Sequence, residues 1–172
     1  TWQVFRANAP GSLASWATSL AGGVYIGWAA SHFVALRGLQ NGLYWVALMF
    51  AITWACDSVA YFVGHKWGRH PFFPKISPKK TREGAIGGYV GGIVASLLVG
   101  ALIRLPWFHA LVLGVLGALA STFGDLSESV IKRQVGVKDS SNLIPGHGGM
   151  LDRIDSLLSV SYTHLRAHET VL

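Results

Sequence analysis

Long apolar runs, separated by short polar segments, dominate the chain. Four of them, 11–30, 43–63, 84–103 and 106–123, are long enough to cross a hydrocarbon core ~30 Å thick, which takes about 20 helical residues. The 172 residues leave no room for a separate soluble domain. The pattern predicts an all-α fold, a polytopic helical membrane protein with about four transmembrane helices.

Composition agrees with a membrane protein. Hydrophobic residues make up 51% of the chain and charged residues only 13%. The seven Trp and five Tyr suit the aromatic belts at the two membrane interfaces. A single cysteine, Cys56, excludes a disulfide framework.

The basic residues predict the topology. Segments 64–83 and 124–155 hold most of the cations and are separated by two spans, so they must lie on one side of the membrane. The loops on the opposite side contribute only Arg37 and Arg104. By the positive-inside rule the basic side is cytoplasmic. The formal net charge of +6 therefore reflects short loops against the bilayer, and we expect no nucleic-acid partner.

The segment 121–156 carries an unusual density of charge directly after an apolar run. Charged groups at a bilayer edge are costly unless something polar binds there. If the run continues as a helix, Ser121, Asp125, Glu128 and Lys132 share one face, which predicts a helix at the cytoplasmic edge. Two further carboxylates, those of Asp152 and Asp155, follow a glycine-rich loop at i, i+3 spacing. Carboxylate-bearing helix ends that face each other suit Mg²⁺.

The glycine-rich loop 145–149 reads PGHGG, a turn whose backbone can approach a phosphate closely. Within it, His147 is open to three interpretations: a hydrogen-bond donor, a base or a passive turn residue. Asp57 raises a similar question because it lies inside an apolar span, about six residues from its end. It either pairs with a basic group of a neighbouring helix or acts as a functional carboxylate.

The loop 64–83 has the character of a phosphate-binding segment. Ser77 and Pro78 predict an extended turn before Lys79 and Lys80. Thr81 can cap the next helix, and a helix N-terminus preceded by lysines attracts anions. The alternative is a basic loop that sets topology and attracts anionic lipid head groups.

Small residues recur every four positions at the start of the third span, at Gly84, Gly88 and Gly92. This spacing is typical of close helix packing. A glycine-lined route for lipid or nucleotide is the alternative, and a homodimer through this face is left open.

Three stretches carry a family resemblance. The segment 124–156 reads GDLSESVIKRQVGVKDSSNLIPGHGGMLDRIDS, and two others, 57–69 and 76–84, read DSVAYFVGHKWGR and ISPKKTREG. Together they resemble the signature of the phosphatidate cytidylyltransferases, the integral membrane CDP-diacylglycerol synthases. The resemblance covers roughly 43–158, and Arg69 departs from it because a Lys is usual at that position.

The resemblance implies transfer of a cytidylyl group from CTP to phosphatidic acid, giving CDP-diacylglycerol and pyrophosphate in phospholipid biosynthesis. It implies an Mg²⁺-dependent enzyme, with room for a second cation, in the cell inner membrane with its active site facing the cytoplasm. The metal ligands would be Asp125, Asp152, Glu128 and Asp155. The other catalytic residues would be Lys132, Arg133, Arg153 and His147. The substrate-binding residues would be Ser77, Lys79, Lys80, Asp57, Gly146, Gly148 and Gly149.

Two other functions compete with this one. A CTP-dependent polyprenol or phytol kinase would use similar parts but transfer the γ-phosphoryl group to a lipid alcohol. A membrane transporter would also place a carboxylate in a span. Release of CDP would reveal the kinase, and solute uptake without CTP consumption would reveal the transporter.

The last residues depart from the expected pattern. After Leu158 the family resemblance calls for a final hydrophobic span, whereas the chain continues as SVSYTHLRAHETVL. This string resembles translated sequencing-adapter read-through, so we interpret 160–172 as non-native and exclude its His164, Arg166, His168 and Glu169 from any site. We interpret 1–159 as a single membrane catalytic domain, a fragment that lacks N-terminal helices and the last span.

Overall fold

The computed structural model describes residues 11–74, 76–134, 136 and 151–171. It describes the backbone but not the side chains of 78, 151–155, 168, 170 and 171. The helices are α1 (Ser12–Gly38), α2 (Gly42–Trp67), α3 (Arg82–Leu102), α4 (Trp107–Gln134) and α5 (Leu151–Val171). Two short strands, β1 (Pro71–Phe73) and β2 (Ser77–Thr81), lie between α2 and α3.

The first four helices are long and apolar enough to cross a membrane. The predicted all-α, polytopic membrane fold is therefore confirmed, with spans close to the four expected from the apolar runs. The helix predicted at the membrane edge is confirmed as well, but it is continuous with the fourth span, because α4 runs without a break to Gln134.

Two boundaries in the middle of the chain differ from the prediction. α2 continues to Trp67, so Asp57 lies about three helical turns before the end of the helix instead of six residues. The segment expected to be a loop, 64–83, contains this last turn of α2 and both strands. Pro71 and Pro78 occupy strand positions in a sheet of only two strands, where every strand is an edge.

Small residues bring α3 against its neighbours. Gly84, Gly88, Gly92, Ser96 and Gly100 are all buried. A Cβ on Gly88 would lie 2.6 Å from the carbonyl oxygen of Cys56 in α2, and one on Gly100 would lie 2.7 Å from the Cβ of Ala110 in α4. Close helix packing is therefore confirmed. The same face is covered within the chain, so it is not available for a homodimer.

The hydrophobic core lies among α1, α2, α4 and α5. One cluster joins Leu36 and Met49 to Leu157, Val160 and Leu165 of the last helix. The buried hydroxyl of Ser161 donates a hydrogen bond of 3.3 Å to the carbonyl of Ala29 in α1. α5 therefore packs along its neighbours, and it has no break between 159 and 160. The non-native origin of 160–172 stays a prediction.

Two contacts bring the two basic segments together. Lys80 of β2 forms an ion pair with Asp125 of α4. The guanidinium Nε of Arg133 donates a hydrogen bond of 3.2 Å to the carbonyl oxygen of Ile76. The described parts of both segments, 64–83 without residue 75 and 124–134, therefore lie at one end of the spans.

Candidate active site

A β-hairpin closes one end of the helical bundle. β1 and β2 pair antiparallel, with Pro71 opposite Thr81 and Phe73 opposite Ser77. The hairpin leads directly into α3, since the hydroxyl of Thr81 accepts a hydrogen bond of 3.2 Å from the backbone N–H of Gly84. The predicted Thr81 cap is confirmed. The two lysines of β2 are thus carried on a strand that the start of α3 holds in place.

Glu83 ties the other strand to the same helix end. Its Oε1 lies 2.6 Å from the imidazole Nδ1 of His70. Its Oε2 accepts hydrogen bonds from the backbone N–H groups of Arg69 and His70, at 3.2 and 3.3 Å. The backbone N–H of Arg82 donates to the carbonyl of His70 at 2.9 Å. One carboxylate in the first turn of α3 therefore fixes the entry to β1.

A cavity of about 740 Å³ lies between α2, the hairpin and the adjoining parts of α3 and α4. Small residues of α2 and α3, among them Ala60, Gly64 and Gly84, line part of it. Five predicted site residues share the cavity wall, although they come from three separate stretches of sequence. They are Asp57, Ser77, Lys79, Lys80 and Asp125.

The charged groups of the cavity include an ion pair. Lys80 and Asp125 contact each other directly, and each side chain is about one-third exposed. Ser129, one turn further along α4, lies with its hydroxyl 3.5 Å from the other oxygen of Asp125. Asp57 and Lys79 also line this cavity. This lining suits a ligand that carries both phosphates and a cation.

The other predicted site residues of α4 do not line the cavity, although most of them share one helix face with Asp125. Ser121 and Glu128 are buried, and Asp125 and Lys132 are partly buried, so the predicted common face of the helix is confirmed. Glu128 lies with its Oε1 3.6 Å from the ammonium nitrogen of Lys132. Neither these two residues nor Arg133 lines the cavity.

The glycine-rich loop and the second acidic pair fall outside this description. The loop residues Gly146, His147, Gly148 and Gly149 lie outside the described residues. Asp152, Arg153 and Asp155 belong to α5, but their side chains are outside the described part. Their predicted roles stay predictions.

Several cavity residues were not expected from the sequence. The structure adds Tyr61 and His65 of α2, Phe72 of β1 and Thr122 of α4. A signal for the first two was present, because positions 61 and 65 follow Asp57 at helical intervals of four and eight residues and so share its face. No such periodicity could have found Phe72, since the hairpin brings it to the cavity.

The model of the cytidylyltransferase family matches residues 2–167, nearly the whole chain. The chain belongs to the cytidylyltransferase family. The match includes every stretch that lines the cavity.

Three relatives of the chain come from three different bacteria. The chain is 42% identical over 143 residues to phosphatidate cytidylyltransferase of Brucella abortus, covering 82% of this chain and 53% of the relative. It is 40% identical over 144 residues to the enzyme of the same name from Bacillus subtilis, covering 80% and 52%. It is 46% identical over 121 residues to phosphatidate cytidylyltransferase of Mycobacterium bovis, covering 69% of this chain and 39% of the relative. The chain thus spans about half the length, or less, of these curated relatives.

Proposed function

We propose that this protein transfers the cytidylyl group of CTP to phosphatidic acid, making CDP-diacylglycerol and pyrophosphate. The observation that carries the proposal is the cavity, in which three motif-bearing segments contribute two lysines and two aspartates, next to the hairpin that follows a membrane-spanning helix. Membership of the cytidylyltransferase family and the names of the relatives support it. The basic residues at this end favour a cytoplasmic orientation in the cell inner membrane.

In the proposed reaction, an ionised phosphate oxygen of phosphatidic acid forms a bond to the α-phosphorus of CTP. The bond from that phosphorus to the oxygen that bridges the α and β phosphates breaks, and pyrophosphate leaves with the electron pair. A phosphate monoester is already largely ionised at neutral pH, so the step needs no strong general base. The work of the protein is positioning and charge neutralisation.

Lys79 and Lys80 would bind the phosphates of CTP. They lie on consecutive positions of β2, and both line the cavity. Lys80 is held by Asp125 in this structure, so its ammonium group would exchange part of that contact for a phosphate oxygen. Ser77 would supply a hydroxyl to the same group. Lys132, Arg133 and Arg153 would hold phosphates at the neighbouring end of α4 and α5.

The cavity carboxylates fit a magnesium ion. Mg²⁺ is usually held by one or two carboxylates together with water and substrate phosphates, and Asp57 and Asp125 offer two. Within the described residues no three His, Cys, Asp or Glu side chains come together as a complete metal site. In this proposal Asp125 and Asp152 hold the ion together with substrate phosphates and Asp57 acts toward the substrate, while Glu128, Asp155 and a second cation are further candidates. When bound, Mg²⁺ neutralises charge on the phosphates.

The test is a product analysis from radiolabelled CTP and phosphatidic acid in detergent micelles, with and without Mg²⁺. We expect CDP-diacylglycerol and pyrophosphate, formed only when Mg²⁺ is present. A second protein, in which 160–172 is replaced by a hydrophobic span, is measured in parallel. Higher activity in that protein would support the interpretation of the last segment as non-native.

Other products would contradict the proposal. CDP together with a phosphorylated alcohol, when a polyprenol or phytol is supplied, would identify a kinase. If neither protein consumes CTP, the proposed activity of this chain is wrong.

A further inference from the structure

Two stacked aromatic rings of α2 line the cavity. Tyr61 and His65 lie one helical turn apart, their ring planes are only 5° from parallel, and their centroids are 6.0 Å apart. Both residues line the cavity, and Phe72 of β1 lines it from the hairpin. Tyr61 is 66% exposed, although its ring also meets the ring of Phe62, with 5.5 Å between the centroids. We call Tyr61, His65 and Phe72 the aromatic wall.

The aromatic wall adjoins the charged part of the same cavity. On α2, Asp57 is followed one turn later by Tyr61 and another turn later by His65, all on one face. On the hairpin, β1 contributes Phe72, and the paired strand β2 contributes the lysines. One cavity therefore combines ammonium groups, which bind phosphates, with ring faces, which bind planar groups.

We propose that the aromatic wall binds the pyrimidine base of CTP by stacking; this deepens and rests on the proposed function. A nucleotide needs cations for its phosphates and a planar apolar surface for its base, and the cavity supplies both. Aromatic side chains stack on nucleobases through their ring faces. The hydroxyl of Tyr61 and the ring nitrogens of His65 also offer hydrogen-bonding groups beside the base.

The chemistry of the wall favours the base over the lipid. An acyl chain is flexible and gains most from aliphatic surface, whereas the outer face of an aromatic ring matches a flat heterocycle. The wall also carries polar atoms, on the Tyr61 and His65 rings, that an acyl chain would leave without partners.

The test is equilibrium binding of labelled CTP to the full chain in detergent micelles, with competition by tripolyphosphate. Tripolyphosphate has the phosphates of the nucleotide but no base. We expect Tyr61→Leu to weaken CTP binding about tenfold and His65→Leu to weaken it about threefold, because the variants lose stacking. Both variants should bind tripolyphosphate within about twofold of the original protein. Tyr61→Phe keeps the ring and should bind CTP within about threefold.

Two control variants show whether a loss of CTP binding is specific to the aromatic wall. Tyr44→Leu removes a half-exposed tyrosine from the opposite end of the same helix, which lies away from the cavity, and should leave both ligands unaffected. Lys79→Ala should weaken both ligands, since it removes a phosphate contact. Both controls must keep the elution volume of the original protein in size-exclusion chromatography.

The possible failures are distinguishable. If Tyr61→Leu weakens CTP and tripolyphosphate equally, or neither, the base site is wrong while the proposed function stands. If Tyr61→Leu leaves CTP binding unchanged but raises the KM for phosphatidic acid, the wall binds lipid and the inference is overturned. If the original protein binds neither probe, the proposed function itself fails, and this inference fails with it.

Discussion

The two halves of α3 make opposite use of the same small-residue pattern. Toward its C-terminal end, Gly92 and Gly100 pack against Ala118 and Ala110 of α4, and the interface is filled. Toward its N-terminal end, Gly84 still approaches the carbonyl oxygen of Ala60 in α2, but here it also lines a cavity of about 740 Å³. The filled half is apolar, and the open half is bordered by lysines and aspartates.

The difference shows how a packed interface supports an open site. Backbone contact between α2 and α3 leaves little freedom for either helix immediately beside the cavity. The hairpin and the end of α4 then border a space that charged side chains leave unfilled. Substitutions in the open half should therefore change catalysis, and substitutions in the filled half should change stability.

The largest effect is expected at the open end, for Asp125→Asn. Asparagine keeps the size of the side chain but removes the charge that contacts Lys80 and would bind Mg²⁺. We expect kcat to fall at least about a hundredfold, the magnitude seen when a single electrostatic group is removed from an active site. The melting temperature should change little, because an ion pair of which each side chain is one-third exposed contributes little stability.

The matched control for this change is Ser127→Ala, two residues further along α4. Its exposed hydroxyl donates a hydrogen bond of 2.7 Å to the carbonyl oxygen of Phe123, one turn before it, and the residue is not among the described residues that line the cavity. This variant should keep kcat within about twofold. A kcat for Asp125→Asn within about threefold of the original would contradict the assignment of Asp125 to the active site.

A smaller effect, on stability, is expected in the filled half for Gly100→Ala. The new methyl would lie 2.7 Å from the Cβ of Ala110, so α3 and α4 must move apart. Overpacking of this kind costs about 1–3 kcal/mol. Thermal unfolding in detergent measures it. Gly27→Ala in α1, where nothing lies within 4 Å, is the control and should not destabilise the protein. Equal melting temperatures would refute tight packing at Gly100.

The smallest effect is expected for Glu83→Gln, which loosens the hairpin at the boundary between the two halves. The amide can still accept from the backbone of Arg69 and His70, but it loses the charged contact with the His70 ring. We expect the KM for CTP to rise about threefold with kcat nearly unchanged, because the lysines of β2 are held less firmly.

Electrostatics alone would act in the opposite direction for Glu83→Gln. Removal of a negative charge near the lysines favours phosphate binding, so a lower KM for CTP would show that charge, not positioning, dominates. Glu169→Gln is the control, since it also removes a carboxylate paired with a neighbour, Arg166 at 3.0 Å, but on the last helix. It should leave both kinetic constants unchanged.

Much of the fold was predictable because its signals are local. Apolar runs of about 20 residues identify spans whatever their partners are, and the Thr81 cap depends only on the residues around it. The spacing of Ser121, Asp125 and Glu128 predicted their common face for the same reason. The hairpin was missed because its strands are short and contain prolines, so they lack the alternating pattern that identifies a strand.

The sequence predicted which residues belong to the site better than it predicted how they contact one another. The motifs that resemble the cytidylyltransferases pointed to Asp57, Lys79, Lys80 and Asp125, and all four line one cavity. No motif showed that Lys80 pairs with Asp125 while Glu128 lies with Lys132. Such pairings depend on how β2 meets α4, which is a contact between residues 45 positions apart.

The sequence by itself determined the membrane-spanning helices, the close approach of α3 to its neighbours and the chemical types of group at the site. These follow from apolar length, from the absence of side chains at the glycines and from charge, all of which are properties of neighbouring residues. Only the tertiary structure decided that a hairpin closes the bundle, that Tyr61, His65 and Phe72 face the same space as the lysines, and that Asp125 contacts Lys80. Those features arise where separate helices and strands meet, and their geometry depends on the packing of the whole chain.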